Sequence, residues 1–154
     1  VWPVLSTSSN YVYDNEMVVF TGGGTGPFYG LEMKPASRES IFYIQAILNH
    51  WLMERLVKNK ASTFRGDYYS HGKQFIATLP IYQIDFENPA EAAKHDQIVE
   101  LVRTIMQLKE QAAAAPNAVQ RTVFSHSIAA VTKDLNHAVN ELYQVESQEN
   151  EESI

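Results

Sequence analysis

The second half of this 154-residue chain carries two runs of regularly spaced apolar residues, which restrict its fold more than any other feature. Each run alternates spacings of three and four residues, the heptad pattern of helices that pack side by side. The runs are Ile98, Leu101, Ile105, Leu108, Ala112, Ala115 and then Ile128, Val131, Leu135, Ala138, Leu142, Val145. The pair Pro116-Asn117 interrupts the pattern between them, so the two helices are expected to fold back as an antiparallel hairpin.

The first half reads as a mixture of strands and helix. Tyr11–Tyr13 and Met17–Phe20 flank a turn pair and predict a β-hairpin, and Phe28–Met33 is a candidate for the next strand. Apolar residues at helical spacing then predict one helix that starts at an N-cap, Ser37, and ends near Lys60.

The predicted fold class is therefore α+β. A small mixed α/β domain is expected over residues 1–84, and a coiled-coil-like helical hairpin with an acidic tail over residues 85–154. Asn88-Pro89-Ala90-Glu91 marks the start of the first long helix, because it places a capping residue, a proline and a glutamate in the preferred order.

The net charge of −6 is unevenly distributed along the chain. Residues 1–82 carry seven basic and six acidic residues, whereas residues 83–154 carry five basic and twelve acidic residues. Within the first part, residues 55–73 hold five basic residues against Asp67 alone. This local basic patch is compatible with a nucleic-acid surface, although lysines that favour the C-terminal dipole of a solvated helix would explain it too.

The basic patch coincides with a glycine-punctuated motif over residues 62–76. It brings together Arg65, Tyr68, His71, Lys73 and Gln74, side chains of the kinds that hold phosphates and read or stack on bases.

Neither a catalytic centre nor a metal site is expected from the sequence. The glycines at 22–24 and 26 are followed by Pro27, where a phosphate-binding loop needs lysine. There is no cysteine, no two histidines stand four residues apart, and no carboxylates cluster at metal-ligand spacing. No cofactor is expected in this chain, and no apolar run is long enough to cross a membrane.

The motif also resembles a known family. The pattern Phe-Arg-Gly-x-Tyr-Tyr-x-x-x-Lys-Gln-Phe-Ile at 64–76, followed by Leu-Pro-Ile at 79–81, is similar to the signature of the TaqI-like specificity domain, the C-terminal target-recognition part of type IIG restriction-modification enzymes. Weaker similarity extends over residues 40–146. Asp67 departs from the family pattern, which has a small residue there.

The resemblance implies that the chain binds double-stranded DNA. Arg65 and Lys73 are then candidates for phosphate contacts, and the base-reading residues would lie in loops near Asn15, from Thr21 to Thr25, and from Lys34 to Arg38. His71 and Gln74 are secondary candidates, and the full candidate set also includes Tyr68 and Lys60.

The resemblance also implies partners outside this chain. Methylation and cleavage, with S-adenosylmethionine and Mg²⁺, would belong to methyltransferase and endonuclease domains that precede it, in a bacterial or archaeal cytoplasm. Three alternatives remain open: a type I specificity subunit, a helical-hairpin interaction module without DNA binding, and an enzyme of unknown type.

Overall fold

The computed structural model describes residues 1–16, 28–64 and 66–146. The chain divides into two compact units, Val1–Ile81 and Tyr82–Ile154. Strands and helices share the first unit and two long helices form the second, so the α+β prediction is confirmed.

Short strands in the first unit form two small antiparallel sheets. Strand β1 (Trp2–Pro3) pairs with β3 (Phe28–Tyr29). In the second sheet, β5 (Tyr68–Ser70) lies between β2 (Leu5–Ser6) and β4 (Thr63–Phe64). The start of the chain therefore contributes one strand to each sheet, and the second sheet contains the strands of the motif.

Two helices, rather than the predicted single one, follow the first loop. Helix α1 (Ile41–Asn49) is capped by Ser40, not Ser37, and α2 (Trp51–Lys60) ends where the sequence predicted. His50 separates them in an extended conformation; its N–H bonds to the carbonyl of Ile47, and its ring accepts from the N–H of Leu52. The apolar spacing continues across this residue, so periodicity alone did not reveal the break.

The prediction of a strand at Tyr11–Tyr13 is wrong, and Met17–Phe20 lies outside the described residues. The backbone of Tyr11 is bound by a side chain instead. Its N–H donates to Asn49 Oδ1 at 2.9 Å, and its carbonyl accepts from Asn49 Nδ2 at 2.8 Å. An asparagine of α1 thus takes the bonds that a strand neighbour would have made.

The core of the first unit lies between α1, α2 and the N-terminal segment. Its fully or nearly buried side chains include Trp2, Tyr11, Tyr43, Ile47, Met53 and Val57. A four-residue helix, α3 (Lys73–Ile76), follows β5 and contributes Ile76 to the buried set.

The second unit is the predicted helical hairpin. Helices α4 (Pro89–Ala114) and α5 (Ala118–Tyr143) pack against each other across a three-residue connection, which makes them antiparallel. Asn88 caps α4 and Asn117 caps α5, each through a side-chain oxygen. Ile98 of the predicted seam is completely buried, as is Val139 on the facing helix.

A non-helical segment at residues 82–88 runs beside the open end of the hairpin. Tyr82 donates its N–H to the hydroxyl of Tyr143, and the ring of Phe86 meets His95 edge-on at 5.1 Å. Ile84 between them is buried. These contacts explain why this end of the hairpin is more fully buried than a two-helix seam alone would be.

We expect Ile98→Ala to lower the free energy of unfolding of the hairpin by about 2–4 kcal/mol, because it leaves a cavity at a fully buried position. Val119→Ala is the matched control on the same hairpin, since Val119 is 75% exposed and its truncation should change stability by less than about 0.5 kcal/mol. Urea denaturation followed by circular dichroism measures both. Equal midpoints for Ile98→Ala and the wild type would contradict the packing described here.

Candidate nucleic-acid interface

A β-hairpin presents the centre of the motif to solvent. Thr63 pairs with Tyr69 and Phe64 with Tyr68, and Gly66 and Asp67 lie in the turn between these two strands. Gly66 has φ 81° and Asp67 has φ 58°, so the loop needs two consecutive left-handed residues. Tyr68, directly after it, is 45% exposed. The loop therefore places an aromatic side chain at the surface beside a carboxylate.

Helix α3 continues this exposed surface. Lys73 and Gln74 are its first two residues, and both are exposed. The carbonyl of Gly72 accepts from the N–H groups of Phe75 and Ile76, so the short helix is anchored at Gly72. Lys60, at the end of α2, donates to the hydroxyl of Thr78 just after α3. Lys60, Lys73 and Gln74 thus lie on two neighbouring elements of the first unit.

One of the predicted basic residues is already neutralised within the fold. Lys58 Nζ lies 3.1 Å from Glu54 Oε1 and 5.1 Å from the centre of the Tyr69 ring. Glu54 stands one residue before the segment counted as the basic patch, so the sequence count missed its carboxylate. The free positive charge of the patch is therefore smaller than the sequence indicated.

The carboxylate of Glu54 is the centre of a largely buried polar network. Its side chain is 14% exposed, and Oε2 accepts from both the hydroxyl of Ser9 and the ring Nε2 of His71, the latter at 3.0 Å. A carboxylate only accepts, so Nε2 carries the hydrogen. The other ring nitrogen lies 3.3 Å from the carbonyl oxygen of Tyr69. Three parts of the first unit thus meet at one side chain: the N-terminal segment, α2 and His71, which directly follows β5.

This network changes the acidity of its members. Burial acts to raise the pKa of Glu54, but the interactions with His71, Ser9 and Lys58 outweigh it and lower the pKa from 4.5 to about 2. Burial, together with the Glu54 charge, raises the pKa of the Tyr11 phenol. The network therefore contains an ionised carboxylate at neutral pH.

The ring of His71 is buried within the first unit, which corrects the prediction that His71 is a secondary DNA contact. It is 1% exposed, and its ring is bound to Glu54 inside the unit. Its backbone is fixed as well: its N–H donates to the carbonyl of Val4 at 2.6 Å, and its carbonyl accepts from Trp2 Nε1 at 2.9 Å. His71 joins the motif to the N-terminal strands.

Among the other candidates that the structure describes, Asn15 precedes β3 in the chain, and Lys34 and Arg38 follow it. All three are exposed. Residues near them in the chain line a groove of about 500 Å³, to which Asp14 and Glu32 contribute carboxylates. These acids are unfavourable for a phosphate backbone close to the groove. Arg65, Thr21 and Thr25 lie outside the described residues, so their roles stay predictions.

The described residues do not assemble the hydrolytic arrangement that a serine, a histidine and a glutamate could form. A nucleophilic serine must bond to the imidazole that accepts its proton, with the carboxylate behind the ring. Here Ser9 bonds to the carboxylate of Glu54, and His71 bonds to the same oxygen. The arrangement orients backbone segments and does not activate a nucleophile.

Across 1–16, 28–64 and 66–146, no three side chains of the types that bind metal ions are grouped closely enough to hold one. None of the helices in these ranges combines the length and apolarity that crossing a bilayer demands.

The chain is similar to part of a restriction-modification protein. It is 33% identical over 95 residues to a curated Escherichia coli protein described as "Type II restriction enzyme and methyltransferase RM.Eco57I". The aligned stretch covers 62% of this chain and 10% of the relative. No protein-family model matches the chain, and no solved structure matches it.

The Glu54 network predicts a loss of stability in acid. Because the pKa of Glu54 is about 2 when folded, below its ordinary 4.5, the contribution is complete above pH 4.5 and disappears as pH falls towards 2. Melting temperatures between pH 6 and pH 2.5 should fall more steeply for the wild type than for Glu54→Gln, which lacks the titrating group. Parallel curves would show that this carboxylate does not contribute to the acid sensitivity.

Proposed function

We propose that this chain recognises double-stranded DNA as the specificity part of a type IIG restriction-modification enzyme. The observation that supports this most directly is the exposed surface of β5 and α3, where Tyr68, Lys73 and Gln74 stand free of the core. The similarity to a restriction enzyme and methyltransferase is independent support. The motif resemblance supports the finer assignment to a TaqI-like specificity domain.

The residues divide into two roles under this proposal. Lys73 and Lys60 hold phosphates, which sets affinity and orientation for any sequence. Gln74 and Tyr68 lie next to them and can reach base edges or stack on the duplex. Residues in the loops around Asn15 and from Lys34 to Arg38 would add sequence preference. Arg65 is assigned to the phosphate-binding group on the basis of the sequence motif alone.

Catalysis is assigned to the rest of a longer polypeptide. The relative is about ten times the length of the aligned stretch, and its description names both restriction and methylation. We therefore place S-adenosylmethionine and Mg²⁺ in methyltransferase and endonuclease domains outside this chain, and the whole protein in a bacterial or archaeal cytoplasm. A type I specificity subunit is the alternative with the same DNA-binding role.

Two substitutions of opposite sign test DNA binding. Lys73→Gln should weaken binding about fivefold at low salt and reduce the log–log salt slope by about 1, because one phosphate contact is lost. Asp67→Asn should strengthen binding, because it removes a charge that repels phosphates while asparagine still tolerates the left-handed conformation. Fluorescence anisotropy with a labelled duplex, titrated in salt, measures both.

The control for this pair is Lys109→Gln, an exposed lysine on α4 in the acidic second unit. It removes the same charge as Lys73→Gln and should leave the salt slope unchanged. Equal weakening by Lys109→Gln and Lys73→Gln would mean that only net charge matters. Undetectable binding of the wild type to any duplex at low salt would contradict the proposed function.

The helical hairpin supplies a surface for the catalytic part. Residues 111–132 contain a single formally charged residue, Arg121, whose guanidinium donates to the carbonyl of Ala115. Val119 and Val123 at this closed end are 75% and 58% exposed, beside a hollow of about 370 Å³. Charge depletion with exposed apolar side chains is typical of an interface centre. We propose that the catalytic part of the same polypeptide covers this end.

Adding charge at the closed end should break that contact. The double variant Val119→Lys/Val123→Lys should bind the separately produced catalytic part at least tenfold more weakly than the wild type, because two charges would be buried without partners. Gln107→Lys adds charge at an exposed position outside this end and should bind normally. Calorimetry decides between them. Unchanged binding of the double variant, or self-association of the chain alone through this end, would overturn the assignment.

A further inference from the structure

The presence of an ionised glutamate in the largely buried network around Glu54 is not explained by packing alone. Removing a carboxylate from water is costly, and replacing a buried ion pair with well-packed apolar residues is often neutral or stabilising. Stability alone therefore does not require an ionised glutamate at this position. The ionised carboxylate instead fixes the positions of two neighbours, because one of its oxygens accepts hydrogen bonds from both the hydroxyl of Ser9 and the ring of His71.

The connection from Glu54 to the exposed surface is short. His71 follows β5 directly, Gly72 follows His71, and Lys73 and Gln74 begin α3. The ring of His71 is held by Glu54, and its backbone by Val4 and Trp2. Every bond on His71 therefore restricts where the next three residues can lie.

Gly72 connects His71 to α3 and is in close contact with the side chain of Gln74. Its carbonyl anchors both N–H groups at the end of α3. A Cβ at this position would come within 2.7 Å of Gln74 Oε1, so the Gln74 side chain lies folded against the glycine. The orientation of Gln74 is thus coupled to the position of Gly72, and through His71 to Glu54.

We propose that Glu54 and His71 are positioning residues for DNA recognition: they touch no DNA, and they fix the backbone from which Lys73 and Gln74 reach it. This inference rests on the proposed DNA-binding function and adds the residues that set its geometry. The side chains of His71 and Glu54 are only 2% and 14% exposed, and the chain between His71 and Lys73 is a single glycine.

The direction in which Glu54→Gln changes DNA affinity distinguishes a positioning role from a purely electrostatic one. Glu54→Gln removes a negative charge, so a purely electrostatic role predicts tighter binding to a polyanion. Positioning predicts binding about tenfold weaker, because the amide replaces a charged acceptor with a weaker neutral one. The matched control is Glu32→Gln, which removes the same charge from an exposed position in the same unit and should bind slightly more tightly or unchanged.

Substitutions of His71 test the donor itself. Gln places an amide N–H near the position of the imidazole Nε2, whereas Leu fills space without a donor. His71→Gln should retain affinity within about threefold, and His71→Leu should lose about tenfold or more. Affinity is measured by anisotropy at 10 °C, with circular dichroism of the same samples to establish that each variant is folded.

Amide hydrogen exchange of residues 72–76 is the second readout, and it does not depend on DNA. Faster exchange in these amides, with α1 unchanged, is expected for Glu54→Gln and His71→Leu. Uniform acceleration across the first unit would mean that the network only stabilises the fold, and the proposal would fail. Tighter binding of Glu54→Gln, or equal losses for His71→Gln and His71→Leu, would also overturn it.

The failure of this inference differs from failure of the proposed function. If wild-type chain binds no duplex, the DNA-binding proposal fails, and the exchange pattern of residues 72–76 still decides whether Glu54 and His71 position them. If the wild type binds and both Glu54→Gln and His71→Leu keep its affinity, DNA binding stands and the positioning role is rejected.

Discussion

The first unit depends on the hydrogen bonds to one ionised carboxylate. Glu54 belongs to α2, yet two of its partners come from the N-terminal segment and from the residue that follows β5. If either partner moved away, a largely buried charge would lose a donor, which costs more than the loss of an ordinary surface contact. The strands are only two or three residues long, so their ladders alone would hold them weakly. Side-chain bonds to Glu54 and to the Trp2 indole supply the missing restraint.

Two lysines of the motif region are exposed, and a third is paired with an acid. Glu54 pairs with Lys58, whose side chain is 36% exposed, while Lys60 and Lys73 are exposed without a carboxylate partner among the described residues. Asp67 opposes them from the adjacent loop. The acidic second unit is poorly suited to touch DNA, which agrees with a role for the hairpin in contacts between protein parts.

Sequence reasoning was most successful where one physical pattern dominated. Heptad spacing and the Asn88-Pro89 signal identified both long helices, because each depends on local spacing and capping. It failed where a bond joined distant residues. Nothing local shows that Asn49 binds the backbone of Tyr11, or that His71 turns inward to Glu54, since these residues are 38 and 17 positions apart. Glu54 directly precedes the basic segment and stands four residues before Lys58. This spacing was the one local signal that could have predicted the pairing of Lys58 with an acid.

The regular seam of the second unit also fixes how far its closed end stands from its base. At 1.5 Å per residue, each 26-residue helix is about 39 Å long. Removing or adding seven residues in both helices would change that reach by about 10 Å and keep the same apolar residues facing each other. The hairpin can therefore change length in discrete steps while the residues of the first unit stay unchanged. A paired insertion or deletion of one heptad alters the distance between whatever binds at the two ends without requiring a new core.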